Sequence, residues 1–328
     1  MDNNENKVLL SIKDLDVRFH SGGEAVHAVN GVTLSVAPGQ ALGLVGETGA
    51  GKTTIAKSIM RILPEHSVLG VDGSIVYDGT EVLTASDAEM RKLRGGKISM
   101  IFQDPMTALN PLMKVADQIA ESIVQHQNVS KNKSKEMAVE ILEKVGISAD
   151  RAFEYPHQFS GGMKQRVVIA IAIACNPQLL IADEPTTALD VTIQAQVLDL
   201  IRNIQKELNT SLILITHDLG VVGEICDSVA VVYAGQIVEQ GLRDEIFDTP
   251  AHPYTKGLFA ALPEKNKGRK RLSPVEGLPP DPTNLPKGCP FSPRCPYATE
   301  ACGERKPDLL EISSSHRVAC HNLGSMEG

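Results

Sequence analysis

The sequence of 328 residues predicts an α/β fold with a mainly parallel sheet. Short runs rich in Val, Ile and Leu recur along the chain, and such runs are typical of strands that are buried on both faces of a sheet. Segments with helical character lie between several of these runs, and strands that alternate with helices favour parallel pairing. The predicted strands cover residues 41–46, 97–102, 178–183, 211–216 and 228–233.

The segments between these strands predict the helices. Residues 52–63 follow the first strand, and residues 191–208 form the helix that joins the third strand to the fourth. Residues 110–150 also read as helical. They predict a helical subdomain inserted into the α/β fold, for which we expect bounds of about 105–175.

The end of the chain differs from the rest in composition. From Leu262 it is rich in Pro and Gly, and we expect few contacts to cross such a segment. A large domain over residues 1–262 and a small Cys-rich domain within residues 263–328, after a Pro-rich linker, are therefore predicted. The basic cluster at 265–271 is interpreted as solvated linker, and contact with anionic lipid headgroups is the alternative.

Composition narrows the class of protein. Hydrophobic residues make up 42% of the chain and charged residues 22%, as in ordinary globular proteins. The longest apolar run, at 167–175, is far shorter than the roughly 20 residues that span a bilayer, and we expect a soluble intracellular protein. The net charge of -8 disfavours nucleic acid as the main partner, because binding to phosphates requires Lys and Arg.

The segment GETGAGKT at 46–53 matches the phosphate-loop motif G-x-x-x-x-G-K-[ST] and lies between a predicted strand and a predicted helix. In such a loop backbone N–H groups surround phosphates, and the helix N-terminus adds partial positive charge. Lys52 is placed to reach the β- and γ-phosphates, and the Thr53 hydroxyl is placed to ligate Mg²⁺. The predicted nucleotide contacts are Gly46, Glu47, Thr48, Gly49, Ala50, Gly51, Lys52, Thr53 and Thr54. A glycine turn without a ligand is the disfavoured alternative.

Polar residues at other strand ends complete a hydrolytic site. Asp183 is expected to contact Mg²⁺ and its water, and Glu184 is expected to orient or deprotonate the attacking water. Gln103 is placed to reach Mg²⁺ or that water. His217 follows a strand whose end a parallel sheet would bring beside the phosphate loop, where it would contact the γ-phosphate.

A second anion site is predicted at Ser160, Gly161 and Gly162. Serine is a good N-cap, and the glycines leave backbone donors uncovered at the start of a helix. Because the chain already has a complete phosphate loop, this second site is expected to serve the nucleotide of another molecule.

Six motifs in order resemble the ATP-binding subunits of ABC transporters: GETGAGKT, Gln103, FSGGM, LLIADE, ALD at 188–190 and His217. The resemblance implies a RecA-like P-loop core that binds ATP in a head-to-tail dimer, with Ser160 and Gly162 of one subunit on the γ-phosphate held by the other. It also implies that Asp190 links the two sites across the interface.

Two further residue assignments depend on the same resemblance. Phe19 falls where the family stacks an aromatic ring on adenine, although a phenylalanine in a strand is usually part of a core. The common signature is LSGGQ, whereas this chain has Phe159 and Met163 at the two ends of the signature.

Further segments are similar to the dipeptide, oligopeptide and nickel branch of ABC importers, among them FQDPMTALNP, YPHQFSGGMKQR, HPYTKGLFAALP and PFSPRCPYA. The resemblance implies a peripheral subunit at the cytoplasmic face of the membrane. Its partners would be a second ATPase subunit, two membrane subunits and, indirectly, a solute-binding protein. The region after Gln103 would dock on the membrane subunits. Peptides are the expected cargo, and a nickel complex or a non-transport ABC ATPase is the alternative.

Four of the six cysteines lie near the end of the chain with the spacing C-x5-C-x6-C-x17-C. This spacing matches neither a paired CxxC zinc site nor a ferredoxin motif, and disulfides are disfavoured in a reducing cytosol. Cys175 and Cys226 lie in apolar surroundings and are expected to be core residues.

The tail is too small to bury four thiols in a core of its own, which favours a shared metal centre. The family resemblance implies a [4Fe–4S] cluster, with a structural role favoured over a sensory one. The expected ligands are Cys289, Cys295, Cys302 and Cys320. Zn²⁺ is the alternative, with His316 or His321 as a substitute ligand.

Overall fold

The computed structural model describes residues 8–187, 189–260 and 275–323. The strands are β1 Leu10–Ser21, β2 Glu24–Val36, β3 Ala41–Val45, β4 Val68–Tyr77, β5 Thr80–Glu81, β6 Ile98–Ile101, β7 Leu179–Asp183, β8 Ser211–Ile215, β9 Ser228–Tyr233, β10 Gln236–Leu242, β11 Leu310–Glu311 and β12 Arg317–Val318. The helices are α1 Lys52–Ile59, α2 Asp87–Leu93, α3 Pro105–Ala108, α4 Val115–His126, α5 Lys131–Lys144, α6 Gly161–Ile173, α7 Val191–Leu208, α8 Leu219–Ile225, α9 Arg243–Asp248, α10 Pro253–Ala260 and α11 Glu300–Glu304.

The chain divides into two compact units. The first comprises Ala37–Gln40 and Thr84–Leu214. The second comprises Val8–Val36, Ala41–Leu83 and the described part of Ile215–Gly328. The phosphate-loop motif and the cysteine-rich tail belong to the second unit, and the helical insertion belongs to the first.

The first unit contains the strand order β8-β7-β6, in which β6 and β7 are parallel and Ile101 pairs with Ala182. Every residue of these three strands is buried, as the uninterrupted apolar runs predict. Helices α4, α5 and α6 pack on one another and form the helical insertion. Ser130 caps α5 by accepting a hydrogen bond from the Lys133 N–H, at 3.2 Å, so the N-terminus of this helix is set by a local sequence signal.

The second unit contains the strand order β11-β12-β10-β9-β3, with β3 and β9 parallel and the outer strands antiparallel. It also contains an antiparallel sheet of order β2-β1-β4-β5. In β1, Leu10 and Ile12 face the core, and after a register shift Leu15 and Val17 do so. Asp14 takes a positive φ of 48° at this shift, which is typical of a bulge that re-aligns the buried face.

The predicted strands and helices agree with the structure to within a few residues. Helix α7 has the bounds expected for 191–208. Helix α1 is shorter than expected, because Arg61 adopts a left-handed φ of 49° just after it. The antiparallel sheet of the second unit was not predicted.

Residues 275–323 fold as part of the second unit, where Glu239 and Gln240 of β10 pair with Val318 and Arg317 of β12. The expected boundary near residues 262 and 263 and the basic cluster at 265–271 lie outside the described residues. The division into domains 1–262 and 263–328 therefore stays a prediction. None of the helices in the described ranges is long and apolar enough to cross a membrane.

A buried carboxylate anchors the tail to β10. Glu239 is fully buried and accepts hydrogen bonds from the backbone N–H groups of Ala251, at 2.7 Å, and His252, at 2.9 Å. The His316 Nε2 atom of the tail lies 2.7 Å from the same carboxylate. A buried charge is costly unless it is fully hydrogen-bonded, and here three groups meet that need. Glu239 thereby fixes β12 and the start of α10 to one strand.

Candidate nucleotide-binding and hydrolysis site

The phosphate loop follows β3 and ends at α1, and its shape depends on two glycines. Gly46 has a φ of 150° and Gly51 a φ of 102°, which L side chains rarely adopt. A Cβ atom at Gly46 would collide with the Val232 carbonyl, and one at Gly51 would collide with the Ala28 carbonyl. The loop therefore lies against neighbouring backbone, and its path needs glycine at both positions.

Lys52 lies at the centre of this loop. It is 6% exposed, and its Nζ atom donates hydrogen bonds to the Gly46 carbonyl at 2.8 Å and the Glu47 carbonyl at 2.9 Å. The ammonium group is thus held within the loop, where it can exchange carbonyl partners for phosphate oxygens. A Cβ atom at Gly49 would have nothing within 4 Å, so the outer side of the loop is open. This cradle fits the triphosphate of a nucleotide, and the Thr53 hydroxyl is an oxygen ligand of the kind that Mg²⁺ prefers.

Sequence reasoning missed two side chains that hold the same loop. The Glu47 carboxylate forms a two-point ion pair with Arg294 of the tail, at 2.8 and 3.0 Å. The Glu47 N–H donates to the Tyr254 hydroxyl of α10 at 2.9 Å. Both partners lie more than 200 residues along the chain, so no local pattern could have identified them.

The first unit brings Gln103 and Glu184 together. Gln103 follows β6 and Glu184 follows β7, and the ends of adjacent parallel strands meet at one edge. The Glu184 Oε2 atom accepts hydrogen bonds from Gln103 Nε2, at 3.1 Å, and from Thr187 Oγ1, at 2.9 Å. Glu184 has a left-handed φ of 46°, a strained conformation that is common at functional sites. Asp183, which precedes it, is 2% exposed.

The Ser-Gly-Gly segment starts α6, as predicted. Ser160 is the N-cap, and its Oγ atom accepts a hydrogen bond from the Met163 N–H at 3.4 Å. Asp190 caps α7 in the same way through the Ile193 N–H at 3.0 Å. A Cβ atom at Gly162 would lie 2.5 Å from Ile193 Cγ2, so Gly162 allows the two helix N-termini to approach closely. Ser160, Gly161 and Asp190 are exposed.

The two departures from the common signature share one neighbour. The Arg151 guanidinium lies 4.7 Å from the centre of the Phe159 ring, a cation–π contact. Its Nη1 atom lies 3.1 Å from Met163 Sδ, and its Nη2 atom donates to the Gln158 carbonyl at 3.0 Å. Phe159 and Met163 therefore fix the start of α6 to Arg151, which lies in the segment between α5 and α6.

The remaining predicted nucleotide contacts are placed as follows. Phe19 is half-buried in β1, where it pairs with Val26 of β2 and Val68 of β4. His217 is exposed just after β8 and belongs to the second unit, as the phosphate loop does. Ala188 lies outside the described residues. The roles of Phe19 and His217 toward ATP stay predictions.

The four tail cysteines are free thiols. Burial is the main cause that raises the pKa of Cys289 to about 11, and the charges of the other three thiols add to it. Burial likewise raises the pKa of Cys295 and of Cys320. The Cys289 N–H donates to the Cys302 carbonyl at 2.8 Å.

No group of three or more His, Cys, Asp or Glu side chains is arranged to hold a metal ion in the ranges that the structure describes. The two expected substitute ligands have other partners nearby. His316 faces Glu239, and the His321 Nε2 atom lies 2.9 Å from the Arg305 carbonyl. Cys226 is buried, as expected of a core cysteine, and burial raises its pKa to about 12, whereas Cys175 is only partly buried.

A glycine-rich phosphate loop between strand and helix, an acidic strand end with a glutamine partner, and a Ser-Gly-Gly helix start define a P-loop ATPase of the ABC class. The family model "ABC transporter" matches residues 29–187, and the model "Oligopeptide/dipeptide transporter, C-terminal region" matches residues 238–302. The chain belongs to the oligopeptide/dipeptide branch of ABC transporter ATP-binding proteins.

Individual relatives extend over nearly the whole chain. The oligopeptide transport ATP-binding protein OppD of Bacillus subtilis is 50% identical over 94% of this chain and 87% of its own. The dipeptide transport ATP-binding protein DppD of the same organism is 48% identical over 95% of this chain and 94% of its own. Escherichia coli OppD is 46% identical over 95% of this chain and 92% of its own.

Solved structures share the fold. The dimeric ATP-binding cassette MJ0796, in a post-hydrolysis state bound to ADP and Pi, is similar over 71% of this chain and 98% of its own, with a TM-score of 0.64 and 25% identity. Clostridium perfringens cbiO1, part of the ABC transporter complex cbiONQ, is similar over 74% of this chain and 92% of its own, with a TM-score of 0.63 and 27% identity.

Proposed function

We propose that this chain is the ATP-hydrolysing subunit that powers import of oligopeptides or dipeptides through partner membrane subunits. The observation that carries the proposal is the identity of 46 to 50% to peptide transport ATP-binding proteins over at least 94% of the chain. The phosphate loop and the Gln103–Glu184 pair supply the groups that such a subunit needs.

The proposed chemistry divides among a few side chains. Lys52 and the loop N–H groups would hold the triphosphate. Thr53, Gln103 and Asp183 would hold Mg²⁺, which would neutralise charge on the phosphates. Glu184 orients the attacking water and accepts its proton, and His217 contacts the γ-phosphate. The left-handed backbone at Glu184 and its two hydrogen bonds preset the carboxylate for this role.

A head-to-tail dimer is proposed to complete each ATP site. The exposed N-caps Ser160 and Asp190 lie at neighbouring helix starts, as expected of a surface that meets a second nucleotide-bound subunit. The partner is a related ATPase chain or a second copy of this one. The similar cassette MJ0796 is itself a dimer.

Docking on two membrane subunits is proposed for the first unit. Its exposed apolar side chains include Phe102 at 42%, Leu112 at 85%, Phe153 at 47%, Tyr155 at 37% and Val191 at 82%. Large exposed apolar side chains are typical of a protein–protein contact. They support a peripheral position at the cytoplasmic face of the membrane, with a solute-binding protein acting through the membrane subunits. The net charge of -8 gives no support to a nucleic-acid partner.

Uptake measurements test the cargo. In cells that lack this chain, its return is expected to restore ATP-dependent uptake of a labelled dipeptide or pentapeptide. Restored uptake of nickel complexes alone would assign the alternative cargo. Unchanged uptake of all three solutes would overturn the transport function.

For the tail we propose a [4Fe–4S] cluster on four cysteines, with Zn²⁺ as the alternative. Two of these cysteines lie close together, since the Cys289 N–H donates to the Cys302 carbonyl at 2.8 Å, and N–H groups face two of the tail sulfurs. The Asn322 N–H donates to Cys320 Sγ at 3.4 Å, and Asn322 Nδ2 lies 3.8 Å from Cys302 Sγ. Such donors tune and stabilise thiolate-bound clusters. The proposed ligands are Cys289, Cys295, Cys302 and Cys320.

Metal analysis of anaerobically purified protein tests the cluster. About four irons and four sulfides per chain, with a brown colour that Cys320→Ser removes, are expected. The matched control is Cys175→Ser, which changes a partly buried cysteine outside the tail. One zinc and no iron would replace the cluster by a structural zinc site.

A further inference from the structure

Arg294 is a buried cation that the tail presents to the phosphate loop. Its side chain is 4% exposed. The Nη1 and Nη2 atoms donate to the two Glu47 carboxylate oxygens at 2.8 and 3.0 Å, a bidentate pair. The Nη1 atom also donates to the Tyr233 hydroxyl at 3.2 Å. A guanidinium stays charged at every physiological pH.

The same guanidinium is fixed from the tail side. Its Nε atom donates to the Glu276 carbonyl at 2.8 Å, and its Nη2 atom donates to the Val275 carbonyl at 3.0 Å. The rings of Tyr233 and Phe291 lie 5.7 and 5.9 Å from its central carbon. Arg294 is consequently held in one position, and it holds Glu47 there in turn.

Glu47 also supplies one of the two carbonyls that hold Lys52. The Glu47 carbonyl accepts from Lys52 Nζ at 2.9 Å, and the Glu47 N–H donates to the Tyr254 hydroxyl. A chain of contacts thus runs from the cysteine-rich tail, through Arg294 and Glu47, to the lysine of the phosphate loop. A second contact lies nearby, where the His27 N–H of β2 donates to the Pro282 carbonyl at 2.9 Å.

We propose that Arg294 is a positioning residue for ATP, which fixes Glu47 and so presets the phosphate loop for the triphosphate. Two effects act in the same direction. A loop with glycines at positions 46, 49 and 51 loses much backbone entropy when it orders around phosphates, and a preset loop loses less on binding. The guanidinium also neutralises a carboxylate that would otherwise repel the phosphates. This inference rests on the proposed function, because it concerns the same ATP site.

The position of Arg294 gives the tail a part in the ATP site. Arg294 directly precedes Cys295, one of the proposed cluster ligands, and it lies in the short 3-10 helix Ser292–Arg294. Whatever orders this segment therefore orders the loop. Through Arg294, the cysteine-rich tail thereby contributes to nucleotide binding.

Nucleotide affinity tests the proposal. In the complete transporter, or the full chain if it is stable alone, Arg294→Met is expected to weaken binding of a fluorescent ATP analogue about tenfold, the value of one hydrogen bond to a charged group. The KM for ATP should rise by a similar factor while kcat changes little, because Glu184 is untouched. Arg294→Lys keeps the charge but loses the bidentate guanidinium. Its ATP affinity is expected to lie between those of wild type and Arg294→Met.

A double-mutant cycle separates positioning from general damage to the tail. In a Glu47→Gln background there is no charge to leave unpaired, so Arg294→Met is expected to weaken binding less than about threefold. The matched control is Arg317→Met, which removes a partly exposed tail arginine paired with Glu311. It should leave both affinity and KM unchanged. Iron content and the thermal midpoint are measured on every variant.

The outcomes separate this inference from the proposed function. Equal ATP affinity in wild type and Arg294→Met, or an equal loss in both Glu47 backgrounds, would overturn the positioning role and leave the ATPase intact. If Arg294→Met does not fold, the comparison uses Arg294→Lys in the two backgrounds. A wild-type protein that neither binds nor hydrolyses ATP would instead refute the proposed function itself.

Discussion

Gln103 Nε2 and Glu184 Oε2 are joined by a hydrogen bond of 3.1 Å across the ends of two adjacent parallel strands. The two residues are 81 positions apart in the sequence, and only the pairing of β6 with β7 brings them together. Thr187 donates a second hydrogen bond to the same oxygen at 2.9 Å. These two hydrogen bonds fix the orientation of the carboxylate.

Gln103→Ala is expected to lower kcat for ATP hydrolysis about tenfold, since one hydrogen bond to the carboxylate is lost while that from Thr187 remains. ATP affinity measured without Mg²⁺ should change much less than kcat, because the proposed contact of Gln103 with Mg²⁺ does not contribute there. Steady-state hydrolysis and nucleotide titration of the same preparations measure both quantities. An unchanged kcat would mean that the pair does not orient Glu184 for the reaction.

Gly51→Ala is expected to weaken nucleotide binding at least about tenfold, because φ is 102° there and the new Cβ atom would collide with the Ala28 carbonyl. Gly79→Ala is the matched control. Its φ is 81°, but its Cβ atom would meet nothing within 4 Å, so about 1 kcal/mol of stability is lost without a change in affinity. Calorimetric titration with ATP measures the difference, and equal affinities in the two variants would contradict this account of the loop.

Stability is expected to fall as the pH is lowered from 7 to 5. Burial lowers the pKa of His252 to about 4 from 6.5, although the nearby Glu239 charge opposes this shift. The unfolded chain therefore binds a proton in this range that the folded protein excludes. The loss for this one group is about 2 kcal/mol between pH 7 and pH 5. Urea unfolding at the two pH values measures it.

His252→Asn is expected to reduce this pH dependence. The oxygen of the asparagine side chain can replace His252 Nδ1, which accepts a hydrogen bond from the Tyr254 N–H at 3.0 Å. His66→Asn, at an exposed position, is the matched control. A pH dependence equal to that of wild type in His252→Asn would contradict the assignment of the effect to His252.

The parallel strands and the phosphate loop could be predicted from the sequence, because they depend on local signals. Uninterrupted apolar runs identified β3, β7, β8 and β9, and glycine spacing identified the loop. The antiparallel sheet was not predicted because the alternation of buried and exposed residues along its strands is interrupted. In β1 the buried positions shift at the bulge around Asp14, so no period of two runs through the strand.

Contacts between residues far apart in the sequence were not predicted either. The Arg294–Glu47 pair spans 247 positions, and neither residue carries a local sign of the other. The pair formed by Glu239 of β10 and His316 of the tail could not be predicted either, because a polar residue in a strand is normally expected to be exposed. Tertiary packing alone places these groups.

The role of Glu184 in hydrolysis is tested most sharply by comparing wild type with Glu184→Gln in ATP binding and ATP turnover. The variant keeps the shape of the side chain and an oxygen that accepts from Gln103 and Thr187, but it cannot take a proton from water. We expect ATP affinity to be retained and turnover to fall by about 10²- to 10⁴-fold. Hydrolysis at the wild-type rate in Glu184→Gln would contradict the assignment of this carboxylate and the account of the site built on it.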